Sequence, residues 1–135
     1  MKVNGRCHCG AVTYTAEVNP QYVMLCHCTD CQVMSGSAHR TIASARAGSF
    51  ELLSGDPKCY VKTADSGAKR GNYFCPDCGT PLYSVPVEDQ PKFYGLRVGA
   101  LDQRSDLPPQ KQIWTRSAQH WAGDLSSLEG VDGQP

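Results

Sequence analysis

The sequence has no excess of charge of either sign. Lys and Arg together number 13, and so do Asp and Glu, which makes the formal net charge at pH 7 zero. Proteins that hold a nucleic-acid backbone or an anionic membrane surface generally present a basic field, which this balance does not provide. We therefore expect neither a nucleic acid nor a membrane among the partners of this protein.

Long apolar runs are also missing. The first ten residues, MKVNGRCHCG, lack the apolar stretch of a secretory signal, and no run approaches the ~20 residues that cross a bilayer as a helix. These absences predict a cytoplasmic protein. Because that compartment is reducing, we expect its cysteines to remain thiols.

Long helical patterns are scarce, and short alternating segments separated by Gly and Pro take their place. With 13 Gly and 9 Pro, the 135 residues are predicted to form one mainly β domain of small antiparallel sheets, with a core over about 3–121 and an irregular tail over 122–135. The predicted strands are 11–18, 22–26, 39–45, 49–53, 59–63, 69–74, 81–86, 92–101 and 111–115.

Cysteine is present in an unusual arrangement. The eight cysteines form three clusters and one isolated residue: Cys7 and Cys9; Cys26, Cys28 and Cys31; Cys75 and Cys78; and Cys59 alone. Their even number allows a disulfide framework. The spacings are instead typical of metal chelation, and FCPDCGT at 74–80 has the turn residues of a zinc knuckle.

The seven clustered sulfurs divide as four plus three. Two pairs, 7/9 and 75/78, can close a four-cysteine zinc site, which leaves 26/28/31 to bind a second zinc with one position open. The spacing also allows 7/9 to combine with 26/28, and either His8 or His27 to complete a tetrahedron. Cys59 is predicted to be a small buried residue on a strand.

Three cysteine motifs, in this order, resemble those of glutathione-dependent formaldehyde-activating enzymes and of the related centromere protein V group. They are GRCHCGAVTY (5–14), LCHCTDCQVMSG (25–36) and YFCPDCGTPLY (73–83), and QIWTRSAQHW (112–121) is a weaker fourth match. The resemblance implies a zinc-stapled, β-sandwich-like (β-tent) fold. It also implies a structural zinc on Cys7, Cys9, Cys75 and Cys78, and a catalytic zinc on Cys26, Cys28 and Cys31. Gln32 departs from the family pattern, where a basic residue often follows the last cysteine of the triple.

An open zinc site with three thiolates favours a soft fourth ligand such as a substrate thiolate. We therefore expect two zinc ions per chain, the second easily lost on purification, and a carbon–sulfur lyase or synthase that adds glutathione or a related thiol to formaldehyde or another small electrophile. One alternative is that this site is a second closed, structural zinc site, with Asp30, His39 or Cys59 as fourth ligand. Another is that the protein is a non-catalytic zinc-binding interaction module.

Glutathione carries two carboxylates, so its cleft should contain cations. The candidates are His39, Arg40, Arg97, Arg116 and His120. Thr29 or a nearby amide is a candidate donor to the aldehyde oxygen. Trp114 and Trp121 could form a cleft wall, or equally pack in the core. The sequence leaves the oligomeric state open.

Overall fold

The computed structural model of the protein describes residues 1–135, which form nine strands and one short α-helix. The strands are β1 (Lys2–Arg6), β2 (Thr13–Cys26), β3 (Arg40–Arg46), β4 (Glu51–Ser54), β5 (Lys58–Thr63), β6 (Lys69–Phe74), β7 (Pro81–Pro86), β8 (Phe93–Arg97) and β9 (Lys111–Ile113). The helix, α1, spans Thr29–Ser35. The expectation of a mainly β fold is confirmed.

Strand β2 connects two halves of the sheet, one formed with β1 and β4 and the other with β3, β9 and the strands beyond β3. Its first part pairs with β1 and β4, and its last part pairs with β3 and, in parallel, with β9. The pairing with β3 shifts register between Val18 and Val23, and Pro20, which cannot donate a ladder hydrogen bond, lies in this interval. The segments 11–18 and 22–26, predicted as two strands, are therefore parts of one irregular strand.

The remaining strands continue from β3 in the order β3-β8-β7-β6-β5, with every pair antiparallel. The two halves of the sheet enclose the core, where Tyr14 of β2 donates a hydrogen bond of 3.3 Å to the Leu82 carbonyl of β7. Gly5 of β1 lies directly beneath the Tyr14 ring, which leaves no room for a Cβ atom. This packing holds the β1–β2 half against the sheet that carries β5 to β8.

Helix α1 is short because its two ends are specified locally. Cys28 caps its start by accepting a hydrogen bond of 3.3 Å from the Cys31 amide. Gly36 ends it in the left-handed region, at φ 65°, and donates to the carbonyls of Gln32 and Val33. The short helix fixes the spacing of Cys28 and Cys31.

The C-terminal part of the chain contains little regular structure. A 3-10 turn at Thr115–Ser117 follows β9, and no helix or strand follows that turn. None of the helices has the length and apolar character needed to cross a membrane.

Candidate metal centres and the adjoining cavity

Four sulfurs from distant parts of the chain meet at one end of the fold. The Sγ atoms of Cys7, Cys9, Cys75 and Cys78 all lie within 4.8 Å of one another. The Cys7–Cys9 and Cys9–Cys75 sulfurs are 3.6 and 3.7 Å apart. A tetrahedral zinc with Zn–S bonds of ~2.3 Å requires sulfur–sulfur distances of about 3.8 Å, so the donor set fits zinc.

Tight turns on both sides build this four-sulfur cluster. Cys7 Sγ accepts a hydrogen bond of 3.2 Å from the Val12 amide, and Gly79, at φ 76°, donates to the Cys75 carbonyl. Thr80 joins the two turns, since its Oγ1 accepts from the His8 amide at 3.0 Å. The side-chain hydrogen bond from Thr80 is also the main cause that lowers the pKa of Cys78 to about 5. His8 contributes its backbone here, and its ring is not part of the cluster.

A second, smaller cluster contains the other three sulfurs. Cys26 lies at the end of β2, Cys28 caps α1 and Cys31 lies in its first turns, and their Sγ atoms are within 4.8 Å of one another. All eight cysteines are free thiols, so no disulfide framework is present. The structure thus groups the clustered sulfurs as 7/9/75/78 and 26/28/31.

The three-cysteine cluster has no fourth His, Cys, Asp or Glu ligand within the same distance. Asp30 forms an ion pair of 2.6 Å with Lys62 instead. The His27 ring turns away, with its Nε2 hydrogen-bonded at 2.8 Å to Gln112, and packs edge-on against His39. None of the side chains suggested as a fourth ligand therefore joins the three sulfurs, which leaves this cluster with three protein ligands.

Cys59 is not a ligand either, but its predicted burial is wrong. It lies on β5, as expected of a strand residue, and is solvent exposed. Strand β5 is the last strand in the order β3-β8-β7-β6-β5, so it has a neighbouring strand on one side only. Burial of a strand residue depends on where its strand lies in the sheet, and the local sequence KCYVKT does not show that location.

The protonation states of the three-cysteine cluster differ from one sulfur to the next. A hydrogen bond from Cys31 is the largest cause that lowers the pKa of Cys26 to about 5; burial opposes it, while the Cys28 amide and the Arg40 charge add to it. The same hydrogen bond, with burial, raises the pKa of the Cys31 thiol. Without metal, the cluster therefore holds a thiolate on Cys26 beside a protonated Cys31.

A cavity of about 310 Å³ opens onto the three sulfurs. Five cationic side chains and no carboxylate line it: Arg40, Lys62, Lys69, Arg70 and Arg97. We name it the metal cavity. Lys62 is paired with Asp30, and the other four cations have no carboxylate partner. This excess of positive charge in a chain of zero net charge indicates a site for an anionic ligand.

Two of these cations, Arg40 and Arg97, are only 7% exposed. Arg97 donates to Asn72 at 3.1 Å, and neither arginine forms an ion pair with an acidic residue. Burial, followed by the Arg40 charge, lowers the pKa of Arg97 to about 9, which still leaves it protonated at neutral pH. Buried charges normally have a counter-ion. Arg40 has the Cys26 thiolate nearby, whereas the side-chain partner of Arg97 is the neutral Asn72, so the pair of guanidinium groups can still accept an anionic ligand.

Arg40 and Arg97 are the two sequence candidates for substrate contacts that line the metal cavity. The others lie elsewhere: His39 packs on His27, Arg116 stacks over the Trp114 ring at 4.6 Å, and His120 is exposed. Thr29 is also exposed and does not line the cavity.

Three cavity cations, Lys62, Lys69 and Arg70, were missed from the sequence. They flank the β5–β6 hairpin turn, where basic residues usually face solvent. The pairing Lys62↔Arg70 places these two side chains on one face of the hairpin, which was the available signal for them; Lys69 pairs with Thr63 and had no such signal.

The C-terminal motif contributes directly to the metal cavity. Strand β9 pairs in parallel with the end of β2, with Ile113 opposite Cys26, and so places Trp114 in the cavity wall. Trp114 has φ 57°, the only positive φ outside glycine. A bulky residue held in this region indicates local strain of the kind that clusters at functional sites. Trp121 is exposed and does not line this cavity, so neither tryptophan is a core residue.

Gln32, the departure from the family pattern, has a positioning role. Its Nε2 donates to the carbonyls of His27 and Ser117 at 2.8 and 2.9 Å, and its Oε1 accepts from Gln119 at 2.8 Å. These bonds tie α1 to the segment after β9. Gln32 does not line the metal cavity, so the loss of a basic residue at this position leaves the cationic wall intact.

Comparisons with known proteins agree with this geometry. The sequence model of the glutathione-dependent formaldehyde-activating enzyme family matches residues 2–117. A crystal structure of a Rhodobacter sphaeroides protein shares the fold, with a TM-score of 0.61 and 24% identity over 81% of this chain and 98% of that one. No curated protein sequence matches. By the family match over most of its length, the chain belongs to the glutathione-dependent formaldehyde-activating enzyme family.

Proposed function

We propose that the protein is a zinc-dependent carbon–sulfur lyase or synthase that adds glutathione, or a related anionic thiol, to formaldehyde or another small electrophile. The observation that carries the proposal is the three-cysteine cluster with a free corner, opening onto a cation-lined cavity. Family membership supports an activity that involves glutathione and formaldehyde. Eight free thiols suit a reducing compartment, and we place the activity in the cytoplasm.

The two clusters would have different roles. Cys7, Cys9, Cys75 and Cys78 would hold a structural zinc, because they complete its coordination and join segments 66 positions apart. Cys26, Cys28 and Cys31 would hold the catalytic zinc. When bound there, zinc supplies a vacant position that takes a substrate thiol as its thiolate.

The cationic wall would bind the thiol substrate by its carboxylates. Guanidinium groups form bidentate, charge-assisted hydrogen bonds with carboxylates, and such bonds are strongest where water is excluded. Arg40 and Arg97 are buried and lie on β3 and β8, whereas Lys69 and Arg70 lie at the start of β6, in the β5–β6 hairpin. This spread of charge suits a ligand with two separated carboxylates, as in glutathione.

The same arginines would stabilise the charge that develops on the aldehyde oxygen. When the sulfur forms a bond to the carbonyl carbon, the C=O electron pair moves to oxygen, which then takes the proton released by the thiol. Arg40 lies opposite Cys26 in the β2–β3 ladder, so a donor is close to the reacting sulfur. This assigns to Arg40 the role that the sequence suggested for Thr29.

Cobalt substitution tests the proposal. We expect two Co²⁺ per chain, and we expect glutathione to change the visible absorption of only one of them, because only one cluster can accept a further thiolate. Cys31→Ser should remove the responsive ion and leave the other spectrum unchanged. Binding of a single metal, or spectra that do not respond to thiol, would rule out an open site.

A further inference from the structure

A second compartment adjoins the metal cavity. It has a volume of about 280 Å³ and is lined by Met34, Arg40, Tyr60, Asn72, Tyr73, Phe74, Pro81 and Arg97. Four of these residues, Met34, Arg40, Asn72 and Arg97, also line the metal cavity. The two spaces therefore meet at the buried arginines, and a ligand can extend from one into the other.

The walls beyond this junction are apolar. Tyr60 and Phe74 lie on neighbouring strands β5 and β6, and Pro81 starts β7. The register Tyr60↔Asn72 places the Tyr60 ring over the same sheet face as the Asn72 side chain that holds Arg97. Tyr60 is 59% exposed although it is a large aromatic residue, so its ring has free surface for a ligand.

Neither proposed substrate explains this compartment. Glutathione is polar and anionic, which suits the metal cavity, and formaldehyde has one carbon and no substituent to bury. A dry apolar cavity of ~150 Å³ is enough to hold benzene. The compartment is therefore large enough for a substituted phenyl group, and its lining is suited to one.

We propose that this compartment binds an aromatic substituent on the carbonyl carbon, so that the preferred electrophile is an aryl aldehyde rather than formaldehyde. This inference rests on the proposed function and specifies its substrate class. In the reaction, the thiol sulfur forms a bond to the carbonyl carbon, the C=O π electrons move to oxygen, and the thiol proton is transferred to that oxygen. The product is a hemithioacetal whose aryl group lies beyond Arg40 and Arg97, with its hydroxyl beside them.

Stable thioethers test this arrangement without turnover. S-Benzylglutathione carries its ring at the position of the aldehyde substituent, and S-methylglutathione corresponds to the formaldehyde adduct. We expect the zinc-loaded protein, in calorimetric titrations, to bind the benzyl compound at least tenfold more tightly, as burial of a phenyl ring predicts.

Variants at Tyr60 localise the effect. Tyr60→Ala should reduce the preference for benzyl to threefold or less without changing the affinity for S-methylglutathione, and Tyr60→Phe should retain the preference. Tyr22→Ala is the matched control, because Tyr22 is 64% exposed on β2 and does not line either space.

The outcomes separate this inference from the function on which it rests. Equal affinity for both thioethers, or a benzyl preference that Tyr60→Ala leaves unchanged, would overturn the aryl compartment and leave thiol addition standing. If neither thioether nor glutathione binds, both proposals are wrong.

Discussion

Arg97 Nη2 donates a hydrogen bond of 3.1 Å to the side-chain oxygen of Asn72, a neutral partner for a buried cation. Arg40, equally buried, adds a second positive charge close by and contributes to the lowered pKa of Arg97. Keeping two like charges together away from water reduces the stability of the folded state. Their position beside the three sulfurs gives a functional reason for this cost.

We therefore expect Arg40→Met and Arg97→Met each to lower kcat/KM for the thiol at least tenfold. Because each change removes a buried charge that has no carboxylate partner, the melting temperature should stay the same or rise. Steady-state kinetics and thermal unfolding measure the two effects. Arg46→Met is the control, since Arg46 is an exposed residue paired with Glu17. Normal catalysis with a lower melting temperature would instead assign the arginines a structural role.

Removing one sulfur from the three-cysteine cluster should affect activity, whereas removing one from the four-sulfur cluster should affect stability. Cys31→Ser is expected to abolish turnover and reduce zinc to one per chain, while the free energy of unfolding changes by less than ~1 kcal/mol. Cys75→Ser should lower that free energy by several kcal/mol, because a structural metal contributes directly to folding. Chemical denaturation with metal analysis of both variants checks this. Unfolding of Cys31→Ser would mean that the three-cysteine cluster is itself structural.

Zinc affinity of the three-cysteine cluster should increase with pH. At pH 7 Cys26, with its pKa near 5, has already lost its proton, whereas the raised pKa of Cys31 keeps that thiol protonated. Metal binding must therefore release at least one proton, and affinity should rise about tenfold per pH unit for each. Competition with a chelator between pH 6 and 8 measures the slope. A flat profile would show that no thiol proton is displaced.

Gly5→Ala should destabilise the fold without affecting the metal clusters. A Cβ atom at this position would overlap the fully buried ring of Tyr14, and relief requires movement of the β1–β2 pair against the core. We expect a loss of about 1–3 kcal/mol in the free energy of unfolding. Gly99→Ala is the control, because open space surrounds its Cβ position. Equal stability of the two variants would contradict this close packing.

The cysteine clusters could be identified from the sequence because their spacing is local. Cys26, Cys28 and Cys31 lie within six positions, so a single turn brings them together whatever the rest of the fold does. The order of the three motifs was equally informative about the family. The strand at 81–86 coincides with β7, since its apolar run ends at prolines on both sides.

The substrate-facing wall could not be derived in the same way. Arg40 comes near Arg97 through the β3–β8 pairing, a contact between residues 57 positions apart in sequence, and Lys62 reaches the cavity only because the β5–β6 hairpin faces α1. The predicted burial of Cys59 was wrong, and the single strand β2 was predicted as two strands separated at Pro20. Both the burial of a strand residue and the continuity of a strand depend on which strands lie beside it. Pairing between distant strands has no signature in short segments of one sequence.

The four-sulfur cluster also sets an order of events during synthesis. Cys9 leaves the ribosome 66 positions ahead of Cys75, so this cluster is completed only when more than half of the chain has emerged. Cys26, Cys28 and Cys31 emerge almost together and can capture a metal long before that. If both clusters bind zinc as proposed, the nascent chain can therefore fill the three-cysteine cluster first, while the strands that will shield it are still being translated.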